Sequence, residues 1–195
     1  IVGEGRRVIN NITRAASLFL VKTLYSFLLS VLMLILPLTY PFQPVQLTLI
    51  SSLTVGIPSF FLALEPNRER VRGGFLETVL KRALPGAVAV AVCSSLAMAS
   101  GRFYGLPLDV DNTLACVVTA LVGMLVLLKV CLPLNPRRVV LLVAMALGLA
   151  GGMAFAGKVF FLASLQGRAL WIALVLCILA VGLMFLVDHW MERAE

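Results

Sequence analysis

The sequence predicts an all-α, polytopic membrane protein: a bundle of six transmembrane helices whose second helix is broken at a Gly-Ile-Pro stretch. Of the 195 residues, 61% are apolar and only 13% are charged, against roughly 25% charged in an average soluble domain. The mean hydropathy of +1.05 exceeds what one buried core accounts for, because a water-facing surface of this size needs more charge. We therefore expect a lipid bilayer as the main partner.

Six apolar stretches have the length of a bilayer-crossing helix, which needs about 20 residues for a hydrocarbon layer of roughly 30 Å. We treat residues 1–195 as a single membrane domain that begins with a cytoplasmic stalk at 1–14. The predicted spans are about 15–36, 45–64, 83–100, 113–132, 139–156 and 169–187.

Each pair of spans is separated by residues that stop a helix or carry charge. Pro37, Pro41 and Pro44 lie between the first two spans, where prolines block helix propagation. A charged segment at 65–82 follows the second span. The remaining connections are a loop at 101–112, a turn at Pro133-Leu134-Asn135-Pro136 and a loop at 157–168.

The basic residues predict the orientation, because cytoplasmic loops are enriched in Lys and Arg. Both termini and the connections on their side carry eleven of them, whereas the opposite side carries three, Arg102, Lys158 and Arg168. We expect a multi-pass protein of the cell membrane with both termini cytoplasmic. The net charge of +7 is then explained by the basic residues on the cytoplasmic side of the membrane, so nucleic acid is not an expected partner. The eleven are Arg6, Arg7, Arg14, Arg68, Arg70, Arg72, Lys81, Arg82, Arg137, Arg138 and Arg193.

The chain carries no recognisable catalytic motif. Four scattered cysteines and one histidine indicate neither a disulfide framework nor a zinc site. Phosphate-binding, metalloprotease, nucleophile-elbow and dinucleotide patterns are absent from the sequence. We expect no catalytic residue, cofactor or certain metal ligand in this chain. It begins at Ile1 without a methionine, so we expect a piece of a longer polypeptide.

Lys22 lies roughly a third of the way into the first predicted span, where a charged ammonium costs about 2.5 to 3.5 kcal/mol on insertion scales. Ser26 and Ser30 share its helix face and Thr23 flanks it. Two interpretations stay open. We favour a position facing a cavity between helices, where intramembrane ionisable residues usually lie; in the other, Lys22 extends back to the interface and the serines bond their own backbone.

The middle of the second span combines hydroxyl groups with a helix break. Pro58 lacks an N–H group, and Gly56 adds backbone freedom just before it. Backbone carbonyls freed by such a break, together with the hydroxyls of Ser51 and Thr54, are hard ligands suited to cations. The alternative is a plain proline kink, which is common in membrane helices.

Small residues recur every four positions on the fifth span, at Ala144, Gly148, Gly152 and Ala156. Side chains four residues apart lie on one face of a helix. Such a stripe is typical of close packing between membrane helices, since it lets two backbones approach. We expect another helix to lie in this groove.

Two stretches within the first 70 residues carry a resemblance to a known family. Gly5-Arg6-Arg7-Val8-Ile9-Asn10-Asn11 leads into a long helix, and Leu53-Thr54-Val55-Gly56-Ile57-Pro58 lies in the next span. Together they resemble the C-terminal six membrane helices of cation-transporting P-type ATPases. In calcium pumps of that family a GR...NN stretch joins the phosphorylation domain to the fifth membrane helix, and the sixth helix reads like N-L-V-T-D-G-L-P. Residues 58–67 look most like a bacterial subgroup that includes CtpE-like pumps.

The resemblance implies an ion pathway on the first two spans. Thr23 and Ser26 fall at the family's asparagine and glutamate ligands, and Ser51 and Thr54 fall at its asparagine and threonine. Val55 stands at the family's aspartate, so both membrane carboxylates of the calcium-pump pattern are missing. The implied cargo is calcium or another cation, and the implied pathway residues are Lys22, Thr23, Ser26, Ser51 and Thr54.

The family's D-K-T-G, T-G-E and P-E-G-L motifs are absent from these 195 residues, so the chain alone is not expected to hydrolyse ATP. The resemblance implies a parent pump whose cytoplasmic domains bind ATP and Mg²⁺, with the parent's other membrane helices and the transported cation as partners. The alternative is a free-standing six-helix secondary transporter or a non-catalytic membrane subunit. Residues 15–100 and 113–187 show no internal repeat typical of such transporters.

Overall fold

In the computed structural model the described part of the protein consists of helices and the connections between them, without strands. The structure describes residues 2–65 and 74–193, and of residues 2–4, 6 and 7 it describes the backbone alone. Six helices in these ranges are long and apolar enough to span a membrane. The predicted all-α, six-span fold class is confirmed. Among the basic residues counted for orientation, Arg68, Arg70 and Arg72 lie outside the described residues, as do the side chains of Arg6 and Arg7.

The second helix, Pro44–Leu64, is joined from three pieces that meet at the predicted break. Its pieces are α2, a π-helical segment and α3, and each of the other five spans is one helix. The bounds are α1 Val2–Ile35, α2 Pro44–Ser51, the π-helical segment Ser52–Gly56, α3 Ile57–Leu64, α4 Phe75–Tyr104, α5 Leu108–Val130, α6 Pro136–Phe155 and α7 Arg168–Arg193.

Local sequence explains where the later helices begin and end. Gly105, with φ of 65°, ends α4 in the left-handed conformation that glycine adopts at helix C-termini. Pro107 then precedes α5, so the connection predicted at 101–112 is much shorter. At the start of α6 the Asn135 side chain accepts a hydrogen bond of 3.0 Å from the backbone N–H of Arg138, and Pro136 occupies the first turn, where its missing N–H costs nothing.

Helix α4 lies at the centre of the bundle and packs against α1, α5 and α7. In the most apolar stretch of α4, 67% of the residues are buried, whereas in the corresponding stretches of α1, α6 and α7 only 22% are buried. Ala83, Ala87 and Ala91, four residues apart on α4, are almost completely buried. Small side chains at this spacing let neighbouring backbones approach closely. Such close packing stabilises helix association in lipid, where water supplies no hydrophobic driving force.

The small-residue stripe of α6 packs against the second helix. A Cβ atom at Gly148 would lie 3.2 Å from Leu53, and one at Gly152 would lie 2.9 Å from Leu49. Both leucines therefore occupy space that only glycine leaves open. The groove expected from the sequence holds the half of the second helix that leads into the π-helical segment.

Candidate functional site

A cavity of about 20 Å³ lies between α1, the second helix, α4 and α5. A volume of about 10–15 Å³ is enough for one water molecule, so this cavity has room for one water molecule or one small ion. Two of the five predicted pathway residues, Lys22 and Thr54, line it. Its wall is made by Leu18, Val21, Lys22, Tyr25, Ile50, Thr54, Val55, Val90, Thr119, Gly123 and Val126.

Four residues of the cavity wall carry a polar group: the ammonium of Lys22 and the hydroxyls of Tyr25, Thr54 and Thr119. Thr54 and Thr119 are 4% and 2% exposed. Each hydroxyl donates a 2.8 Å hydrogen bond to the carbonyl four residues earlier, Ile50 or Ala115. With its proton used in this way, each hydroxyl oxygen retains only acceptor capacity, which is what a cation or a water proton requires.

Lys22 is half-buried on α1, and within the described ranges no carboxylate pairs with it. These ranges also contain no cluster of three His, Cys, Asp or Glu side chains able to hold a metal ion. The cavity therefore presents neutral oxygen atoms beside a basic side chain. This arrangement disfavours a divalent ion held by this chain alone, because hard divalent cations are usually bound by carboxylates.

The π-helical segment brings Thr54 into the cavity. The N–H group of Ile57 bonds to the carbonyl of Ser52, five residues earlier, which widens the turn. Pro58 follows directly and contributes no N–H group. Single widened turns of this kind are frequent at functional sites. The predicted break at Gly56 and Pro58 thus takes the form of a wide helical turn within one continuous span.

Sequence reasoning missed the contribution of α5 to the cavity. A Cβ atom at Gly123 would lie 2.9 Å from the Thr54 methyl carbon, so Gly123 leaves the room that the Thr54 side chain fills. Thr119, one helical turn earlier, adds the second threonine hydroxyl. The only available signal was a threonine and a glycine four residues apart in an otherwise apolar span, and this pattern is also common in packing faces.

The structure places the other three predicted pathway residues outside the cavity wall. Thr23 is exposed and donates a 3.2 Å hydrogen bond to the carbonyl of Phe19. Ser26 is half-buried, and so is Ser51, whose hydroxyl donates to the carbonyl of Leu47 at 2.5 Å. Their assignment to the ion pathway stays a prediction.

A second polar site, the Glu65 cluster, lies where the end of α3 meets α1 and the start of α6. Glu65 accepts hydrogen bonds from Nε of Arg138 at 2.8 and 3.0 Å and from Nδ2 of Asn135 at 2.6 Å. Nη1 of Arg14 lies 3.5 Å from the same carboxylate. Asn11, which bonds the nearby backbone of the second helix, completes the cluster.

The two arginines determine the charge of Glu65. Burial by itself raises the pKa of its carboxyl group, but the hydrogen bonds from Arg138 and Asn135 and the positive charges of Arg138 and Arg14 outweigh this effect, so that the pKa of Glu65 is below its ordinary value. The carboxylate is therefore ionised at neutral pH. The side chains of Arg14 and Arg138, two of the basic residues that predict the orientation, are nearly fully buried.

These features define a class: a multi-pass membrane domain with a small, mostly apolar cavity that a lysine and hydroxyl-bearing residues line, and a largely buried ionic cluster at one end. No family model matches the chain. Several curated proteins, however, are similar to it in sequence. The chain is 38% identical over 169 residues to the calcium-transporting ATPase CtpE of Mycobacterium bovis, covering 80% of this chain and 20% of that protein.

Two further relatives are also ATPases named for the transport of calcium or another cation. CtpE of Mycobacterium tuberculosis is 40% identical over 143 residues, 67% of this chain and 18% of that protein. A probable cation-transporting ATPase of Streptococcus pneumoniae is 36% identical over 151 residues, 73% of this chain and 19% of that protein. The chain spans about a fifth of the length of these relatives. Over 67–80% of its length the chain is thus similar to part of these ATPases, and the resemblance noted in its first 70 residues is confirmed.

Proposed function

We propose that this chain is part of the membrane domain of an ATP-driven cation pump, in which it supplies part of the ion pathway and the helices that support it. The observation that carries the proposal is that Lys22 and Thr54, from the first two spans, line one small cavity together with Thr119. The names of the relatives support the transport of a cation by a larger ATPase.

The transported ion is proposed to be calcium or another cation. Two of the relatives above are described as calcium-transporting and one as cation-transporting. Since the cavity offers hydroxyl oxygens and no carboxylate, a divalent ion requires negative charge from helices of the parent pump outside these 195 residues. A monovalent cation has less need of that charge.

The parent protein is proposed to bind ATP and Mg²⁺ in its cytoplasmic domains and to lie in the cell membrane with both ends of this chain on the cytoplasmic side. Movement is proposed to enter through residues 6–14, which belong to the same continuous helix, α1, as Lys22. The other membrane helices of the parent would complete the ion site.

The full-length parent, purified and reconstituted into liposomes, tests the proposal. We expect ATP-dependent accumulation of a cation, measured across a series that includes Ca²⁺, Mn²⁺, Na⁺ and K⁺, and cation-stimulated ATP hydrolysis. Flux that follows an ion gradient without ATP would instead support a secondary transporter. Absence of both activities would support a non-catalytic membrane subunit.

Removing one cavity hydroxyl is expected to weaken cation binding. Thr54→Val and Thr119→Val preserve side-chain shape but remove an oxygen ligand, and a hydrogen-bonding group that contacts a charge contributes about 1.5 kcal/mol or more. The cation concentration for half-maximal ATP hydrolysis by the parent should therefore rise about tenfold in each variant.

Thr48→Val is the matched control, because the Thr48 hydroxyl is exposed on the same helix and donates to the carbonyl of Pro44 at 2.9 Å. Its cation titration should equal that of the unaltered pump. Identical titrations for Thr54→Val and Thr48→Val would reduce the π-helical segment to a packing feature.

A further inference from the structure

We propose that Glu65 is a positioning residue: its carboxylate, on a side chain 10% exposed, ties the end of the second helix to α1 and α6, and thereby keeps Thr54 in register with Lys22. The inference rests on the proposed function, in which a change at one end of α1 reaches the cavity. The Glu65 cluster is separate from the cavity, and none of its members lines that wall.

The cluster joins three helices through ionic contacts. Arg138, at the start of α6, holds the Glu65 carboxylate by two hydrogen bonds from one nitrogen. It also donates from Nη1 to the carbonyls of Cys131 and Pro133 at 3.1 and 2.6 Å. The guanidinium is thereby fixed to the turn between α5 and α6, and it holds Glu65 at that position.

Backbone contacts fix the same end of the second helix to α1. Nδ2 of Asn11 donates to the carbonyls of Ala63 and Glu65, both at 2.9 Å. Ala63 lies in the last turn of the second helix, whose carbonyls have no partner within the helix itself, and Glu65 directly follows the helix end. Asn11 is 5% exposed, so water does not readily replace it.

These contacts determine which movement costs least. Sliding α1 along the second helix would break both bonds donated by Asn11 and draw Arg14 away from the carboxylate in buried surroundings, where separating one partner from a charged pair is costly. Moving the three helix ends together breaks none of these contacts. Thr54 lies about 16 Å from Glu65 along the same composite helix, so a displacement of α1 is transmitted to the cavity.

The full-length parent pump in liposomes tests this inference with Glu65→Gln, which preserves size and removes the charge. The measurement is the number of cations transported per ATP hydrolysed. We expect this ratio to fall at least threefold while ATP hydrolysis continues, because the two hydrogen bonds of Asn11 then hold α1 to this end of the second helix without the ionic contact of Arg14. A purely structural role would reduce the amount of folded pump and leave the ratio unchanged.

Glu77→Gln is the control: Glu77 is 60% exposed and pairs with Lys81 on its own helix at 2.7 Å, so its ratio should match the unaltered pump. An unchanged ratio in Glu65→Gln would overturn the inference. If Glu65→Gln does not accumulate, Arg14→Gln replaces it in the test. This variant removes the ionic contact between α1 and Glu65, while Arg138 and Asn135 still hold the carboxylate, and the ratio should fall in the same way. Failure of the unaltered parent to transport any cation with ATP would refute the proposed function itself, before any variant is compared.

Discussion

Replacing Lys22 by methionine is expected to lower the cation concentration for half-maximal ATP hydrolysis by the full-length pump at least tenfold. Lys22 lines the cavity with Thr54, and its ammonium repels a bound cation. At an effective dielectric constant of 20 and a separation of about 6 Å, this repulsion is about 3 kcal/mol per unit charge. Half of that energy, after screening, still corresponds to about a tenfold change in affinity.

Lys158→Met provides the control, because Lys158 is exposed in the connection between α6 and α7 and does not line the cavity. Its cation titration should equal that of the unaltered pump. Equal titrations for Lys22→Met and the unaltered pump would favour the alternative interpretation, in which the Lys22 side chain extends to the membrane interface.

Much of the fold was predictable because each span is a local property of the sequence. A run of about 20 apolar residues has one stable form in lipid, since every backbone polar group must be paired within the segment. The π-helical segment was predictable as a break for the same reason: Gly56 and Pro58 act within one turn. The small residues spaced one turn apart on α6 predicted a packed helix in their groove, and the structure identifies it as the second helix, through Leu49 and Leu53.

The Glu65 cluster could not be predicted because its burial depends on three helices meeting. Arg14 and Arg138 each stand next to an apolar run, where an arginine is usually solvated and marks topology. Thr119 was missed for a related reason: its hydroxyl bonds its own helix, so nothing in the sequence distinguishes it from a packing residue. What the structure adds is which helices lie together.

Replacing Gly101 by alanine is expected to lower the thermal midpoint of the purified protein by about 2–12 °C. A Cβ atom at Gly101 in α4 would overlap both carboxylate oxygens of Asp111 in α5. Asp111 is 4% exposed, so its carboxylate has little room to move. Overpacking of this kind costs about 1–3 kcal/mol, and each kcal/mol shifts the midpoint by about 2–4 °C at this size. Labelling of the buried thiol of Cys116 during heating in detergent reports the transition.

A second substitution distinguishes this overlap from a general effect of alanine. Gly151→Ala places its Cβ in open space on α6, so it should leave the midpoint unchanged or raise it slightly, since alanine favours helix over glycine. In Gly101→Ala combined with Asp111→Ala the carboxylate is gone, and the midpoint should return to that of Asp111→Ala alone. If the two substitutions instead add independently, the contact between Gly101 and Asp111 does not determine the packing of α4 on α5.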